Sequence, residues 1–100
     1  MLRRASLAGA APFIVQRGDS ERGDILVKTA DMTGHARLLR PRTNLDGSRV
    51  FIDLSAGPLG TKEADIDAFA RRACHFDPDL WWIEIEDRQL RAFITESIEK

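Results

Sequence analysis

The densest concentration of groups able to hold a cation or move a proton runs from Cys74 to Asp87. It contains Cys74, His75, Asp77, Asp79, Glu84, Glu86 and Asp87. A hard cation wants three or more carboxylate oxygens converging on one point. Glu84 and Glu86 share a face if this stretch is a strand, but Asp77 and Asp79 come before it. A turn fixed by Pro78, with Asp79 bonding backbone amides where the strand begins, accounts for the two aspartates more simply. Cys74 and His75 are adjacent, so on a helix they diverge by about 100° and do not form a nucleophile–base pair. An enzyme working through residues 77–87 is therefore the third-ranked functional reading. No catalytic residue, metal ligand or cofactor is expected.

Other motifs reduce to local structure. Arg17-Gly18-Asp19 matches an integrin-binding tripeptide, yet it falls where a turn is required. Gly57-Pro58-Leu59-Gly60-Thr61-Lys62 has the residues of a phosphate loop in the wrong order, since Lys must directly follow the second Gly. It reads as a loop leading into a helix. Arg37, Arg40 and Arg42 are candidate anion or nucleic-acid contacts, because a sheet surface carrying guanidinium groups can meet phosphates. Base stacking would need aromatic neighbours, and only Phe51 is near. An Arg-mediated nucleic-acid or phosphate binder is the second-ranked reading; an exposed basic edge that repels strand addition competes with it.

The 100 residues allow one domain, 1–100. A hydrophobic fraction of 43%, a charged fraction of 31% and a net charge of −1 fit a soluble globular domain. That balance steers the chain toward neither nucleic acid nor an anionic membrane. Basic groups are twelve Arg against three Lys, and the first half of the chain is the more basic. The single Cys74 excludes an internal disulfide and suits a reducing compartment, most simply the cytoplasm. Met1 to Ala11 has the outline of a signal peptide, but its apolar part is weak and Pro12 with a strand follows at once. No run approaches the roughly 20 apolar residues of a membrane span.

These residues must be positioned by a small set of elements. Leu2 to Ala8 reads as a short helix closed by Gly9. Pro12–Arg17, Asp24–Ala30, His35–Arg40 and Arg49–Leu54 read as four strands separated by turns around Gly18–Gly23, Asp31–Gly34 and Asn44–Ser48. Thr61 is the expected N-cap of a helix over about 62–75, with Ile66, Phe69, Ala70 and Ala73 as its apolar stripe. Leu80–Glu86 alternates as a strand, with Trp81, Ile83 and Ile85 on one face and Trp82, Glu84 and Glu86 on the other. Residues 90–98 fit a helical stripe and a returning strand about equally well.

The run Phe76-Asp77-Pro78-Asp79-Leu80-Trp81, ending in Glu84-Ile85-Glu86-Asp87-Arg88, resembles the signature of a small bacterial family of unknown function, DUF 1491. Leu2-Arg3-Arg4 with Gly9-Ala10, Arg17-Gly18-Asp19 with Asp24–Lys28, and Ala64–Arg72 resemble further stretches of it in order and spacing. Against that pattern the chain starts about two helical turns late, Trp82 replaces an aliphatic residue, and Leu90 replaces a turn glycine. The resemblance implies a hairpin with a short strand near Arg91–Thr95. It implies no activity and carries over no site residues.

The expected fold is α+β: an antiparallel sheet, made of a four-strand meander plus a C-terminal strand pair, with a short N-terminal helix and the 62–75 helix on one face. Ile66, Phe69, Ala73, Trp81, Ile83 and Ile85 are expected to share the core. Pairing of 81–86 with 91–96 then sends Trp82, Glu84, Arg91 and Phe93 outward, an aromatic pair ringed by charge. These four are the candidate partner-binding residues of a non-catalytic protein-interaction or regulatory module, the first-ranked reading. A protein partner or a second copy of the chain would bind there, self-association being simplest because a two-fold pairing needs one surface.

Overall fold

The computed structural model describes residues 11–21, 23–88 and 98–99. Its elements are β1 (Ala11–Gln16), β2 (Ile25–Ala30), β3 (Ala36–Thr43), β4 (Arg49–Asp53), a 3₁₀ turn (Leu54–Ala56), α1 (Glu63–Phe76), β5 (Trp81–Glu86) and β6 (Ile98–Glu99). The strands form one sheet in the order β1-β5-β2-β3-β4-β6. The helix expected over Leu2–Ala8 lies outside the described residues.

β2, β3 and β4 form the expected meander, each antiparallel to the next. The β2–β3 turn is set by Asp31, whose Oδ1 accepts from Thr33 N at 2.8 Å and Thr33 Oγ1 at 2.7 Å. Gly34 takes the positive φ that its position requires. The sheet is nevertheless mixed, not antiparallel. β4 runs parallel to β2, and α1 then carries the chain back, about 21 Å for its 14 residues. β5 consequently starts at the same end as β2 and pairs with it in parallel, Ile25 opposite Trp81 through Ala30 opposite Glu86.

This crossover overturns the C-terminal hairpin. β5 is an interior strand, with β2 on one side and antiparallel β1 on the other. Both of its edges are used, so residues 91–96 have no edge of β5 left to pair with. The β1–β2 pairing of a four-strand meander is displaced for the same reason, because β5 inserts between them. At the far edge of the sheet β6 pairs in parallel with β4.

α1 lies within a residue of its expected span, but Thr61 does not cap it. Lys62 occupies the N-cap position with no side-chain cap bond. The start is held by backbone instead: Ala36 N donates to Thr61 O at 2.8 Å, and Glu63 N donates to Gly34 O at 3.0 Å. These bonds tie the helix to the β2–β3 turn.

The helix-side core joins Ile66, Ala70 and Cys74 to Leu26, Ala30, Ala36, Leu38, Leu80 and Trp82, with Phe69 and Ala73 partly buried against it. The opposite face is also buried, by Val27, Thr29, Leu39, Ile83 and Ile85. The expected core therefore divides. Ile66, Phe69 and Ala73 face the helix side of the sheet, whereas Trp81, Ile83 and Ile85 face away from it. Alternation sorts residues into two faces, but both faces of β5 are covered here, so it does not tell which one the helix covers.

Candidate interaction surface

Three carboxylates do converge, and on a lysine. The Lys28 side chain leaves the helix side of β2 and is 3% exposed. Its Nζ reaches Asp67 Oδ1 at 2.6 Å and Glu63 Oε2 at 2.7 Å on α1, and Glu84 on β5. Glu63 and Asp67 are i and i+4, one above the other on the helix face that meets the sheet. Burial alone would lower the Lys28 pKa; hydrogen bonds to Asp67, Glu63 and Glu84 more than offset it and hold the pKa above the ordinary lysine value. The carboxylate oxygens lie within 4.8 Å of one another, a spacing that could hold a metal ion. Here the ammonium is their cation. Of the acidic residues singled out near the C-terminus, only Glu84 belongs to this group. The signal available in the sequence was a lysine inside an apolar strand and an i,i+4 acidic pair beside an apolar stripe.

The family-like signature makes a clasp. Asp77 Oδ1 accepts from Asp79 N at 3.1 Å, so the carboxylate that caps this turn is that of Asp77 and not, as expected, that of Asp79. Asp79 O accepts from Asp19 N at 2.9 Å, Trp81 Nε1 donates to Asp19 O at 2.9 Å, and Trp81 N donates to Asp24 O at 2.8 Å. Arg17 stacks over the Trp81 ring, 5.7 Å from its centroid. A Cβ on Gly18 or on Gly23 would collide with the Asp79 carbonyl. Arg17-Gly18-Asp19 is thus a turn wrapped around Asp79-Leu80-Trp81, which is its structural reading.

The candidate anion contacts do not form one surface. By register Arg37 faces away from α1, opposite Thr29, whereas Arg40 and Arg42 are an odd number of residues away and face the other side. Arg37 Nε donates to Asp53 Oδ2 at 3.0 Å, and this buried carboxylate also accepts from Ser55 N. Arg42 Nε donates to Asn44 Oδ1 at 3.3 Å; Arg40 is exposed. The candidate partner-binding group is broken up as well. Trp82 is 5% exposed in the core, and Glu84 is bound to Lys28. Arg91 and Phe93 lie outside the described residues.

What remains open is the β1 side. Among the described residues β1 has β5 on one edge and no strand on the other. Phe13, Ile14 and Val15 are 42%, 38% and 44% exposed. The β1–β5 register shifts between Ile14 and Gln16, the mark of a bulge at Val15. Beside it, β1 and α1 flank a cavity of about 460 Å³ lined by Val15, Gln16, Arg71, Cys74, His75 and Trp82. Gln16 is oriented by Nε2 donating to Leu80 O at 2.9 Å. Burial, with the charge of Asp77 adding, pushes the Cys74 thiol pKa up, so it is an inert wall and not a nucleophile. The Trp82 Nε1–H is buried and finds no acceptor among the described residues. An unpaired buried donor costs about 1–3 kcal/mol, so this one stands out. Phe76, 79% exposed, meets the His75 ring edge-on at 5.7 Å. Sequence reasoning missed this surface because it paired β1 with β2 and turned Trp82 outward. No helix among the described residues is long and apolar enough to cross a membrane.

A family model described as a protein of unknown function (DUF1491) matches residues 1–95. The crystal structure of a DUF1491 family protein from Caulobacter crescentus CB15 is 44% identical, covers 98% of this chain and 90% of that chain, and superposes with a TM-score of 0.89. An NMR structure of a DUF1491 family protein from the same organism gives 43% identity, coverage of 99% and 88%, and a TM-score of 0.86. The solution structure of protein Atu0922 from A. tumefaciens, 24% identical over 99% of this chain and 88% of that one, shares the fold with a TM-score of 0.76. None of the curated proteins matches the chain. The family model spans nearly the whole chain and the fold is shared with relatives 44% and 43% identical, so the chain belongs to the DUF1491 family.

Proposed function

We propose that this protein is a non-catalytic protein-interaction module whose docking element is the outer edge of β1. The observation that carries the reading is three consecutive exposed apolar residues, Phe13, Ile14 and Val15, on an edge strand. An edge strand presents unpaired N–H and C=O groups, and a partner chain laid along it gains main-chain hydrogen bonds together with apolar contact. Proteins usually protect such an edge with charge, and Phe13 to Val15 carries none.

The competing readings draw less support. Two of the three basic side chains expected to meet phosphate or nucleic acid are engaged, Arg37 by Asp53 and Arg42 by Asn44. Of the acidic segment that an enzyme would use, Glu84 is bound to the Lys28 ammonium and Asp77 accepts from the Asp79 backbone in the turn before β5. The free, buried Cys74 fits a reducing compartment, and we place the protein in the cytoplasm.

Phe13→Lys/Val15→Lys tests the reading, because both side chains are exposed and the fold should survive. Proteins cross-linked to wild type through residues 13–15 in native lysate should be lost from the variant, while the two circular dichroism spectra coincide. An identical set of cross-linked partners would sink the idea.

A further inference from the structure

We infer that the groove between β1 and α1 receives the free carboxyl end of an extended partner chain bearing an apolar last side chain. The inference rests on β1 being the docking edge and adds the chemistry of what docks there.

Three observations converge. The first is charge. The Arg71 guanidinium on α1 lines the groove, and none of the other lining residues is acidic. Among the described residues Arg71 has no acidic partner, unlike Arg37 and Arg49. A guanidinium fork without a carboxylate of its own suits a carboxylate brought by a ligand. The second is the unpaired donor. Trp82, which lines the same groove, carries a buried indole N–H with no acceptor among the described residues. Groups that only accept hydrogen bonds complement such a wall, and a carboxylate is one. The third is the backbone. The bulge at Val15 breaks the ladder between Ile14 and Gln16, so an added strand loses its regular partners there. A chain that ends at this point leaves few peptide groups unpaired beyond the bulge. Its carboxyl end then lies at the Gln16 end of β1, with the added strand running parallel to β1. Val15, Cys74 and the Trp82 ring offer apolar wall for a last side chain, and about 460 Å³ holds one.

The chain's own Ile98–Glu99 is engaged on β4 at the opposite edge of the sheet. The occupant proposed here is the terminus of another protein.

The test titrates the full ¹⁵N-labelled chain with an eight-residue peptide of alternating Thr and Val ending in Phe. The peptide is used as the free acid and as the C-terminal amide. Both should move the amide resonances of Phe13 to Val15. The acid alone should move the Trp82 indole N–H, assigned by its loss in Trp82→Phe, and should bind at least tenfold more tightly. Arg71→Gln should abolish that preference while keeping the β1 shifts. Equal affinity of acid and amide, with β1 shifts intact, overturns this inference and leaves β1 as a docking edge. Absence of β1 shifts at millimolar peptide overturns both. Concentration-dependent β1 shifts in the chain alone would assign the edge to a second copy and overturn the terminus.

Discussion

Lys28 is the residue that most rewards a physical accounting. An ammonium carried on an apolar strand into the interior would ordinarily cost several kcal/mol in lost solvation. Glu63, Asp67 and Glu84 surround it, and their own partial exposure keeps the excess negative charge in contact with water. Removing the ammonium alone leaves three carboxylates facing one another. Lys28→Met should therefore lower stability by about 3–5 kcal/mol in urea melts, the usual cost of breaking a buried ionic group from one side. The pH dependence has a definite sign. The folded pKa of Lys28 is raised, so its contribution is fully present below the unfolded value of about 10.4 and fades as pH rises through the folded one. Wild type should lose stability on alkaline titration above that range, and Lys28→Met should lack this component. Parallel alkaline profiles for the two proteins would contradict the assignment.

At the scale of elements, the clasp explains why the signature run has its composition. Pro78 and the Asp77 carboxylate shape the turn after α1, and the Asp79 carbonyl then accepts from the Arg17–Asp19 turn. Gly18 and Gly23 are required because the Asp79 backbone passes where their Cβ atoms would be. Gly23→Ala should cost about 1–3 kcal/mol, as for overpacking at a tight contact. Ser20→Ala on the exposed outside of the same turn should stay within about 0.5 kcal/mol. Thermal melts of the two variants compare them directly, and equal melting temperatures would show that the turn yields freely. The clasp fixes where β5 begins and hence the register of the parallel β2–β5 pair.

At the scale of the whole molecule, the parallel pair joins segments more than fifty residues apart, Ile25–Ala30 and Trp81–Glu86. Both strands are interior, whereas β1 sits at the edge with exposed side chains. Native-state hydrogen exchange should follow this layering. Amides of Val27, Thr29, Ile83 and Ile85 should exchange only through the largest openings. Those of Phe13 to Val15 should exchange by local opening, at least a hundredfold faster after correction for intrinsic rates. Uniform protection across the sheet would mean that β1 is as strongly held as the centre.

The sequence by itself determined the parts that depend on neighbours along the chain. The strand runs, the Asp31–Gly34 turn, the span of α1 to within a residue and the two-face alternation of Leu80–Glu86 all follow from local sterics and periodicity. The signature run was enough to suggest the family. Tertiary structure alone decided which strands meet and which face turns to the helix. Trp82 and Trp81 alternate identically whichever face is covered, and only the crossover through α1 places Trp82 beneath the helix. The same crossover uses both edges of β5, removes the hairpin, and brings Lys28 of β2 to Glu84 of β5 and to the acidic pair of α1. A long-range pairing of this kind is chosen by the combined burial of both sheet faces, a quantity that no short window of sequence contains.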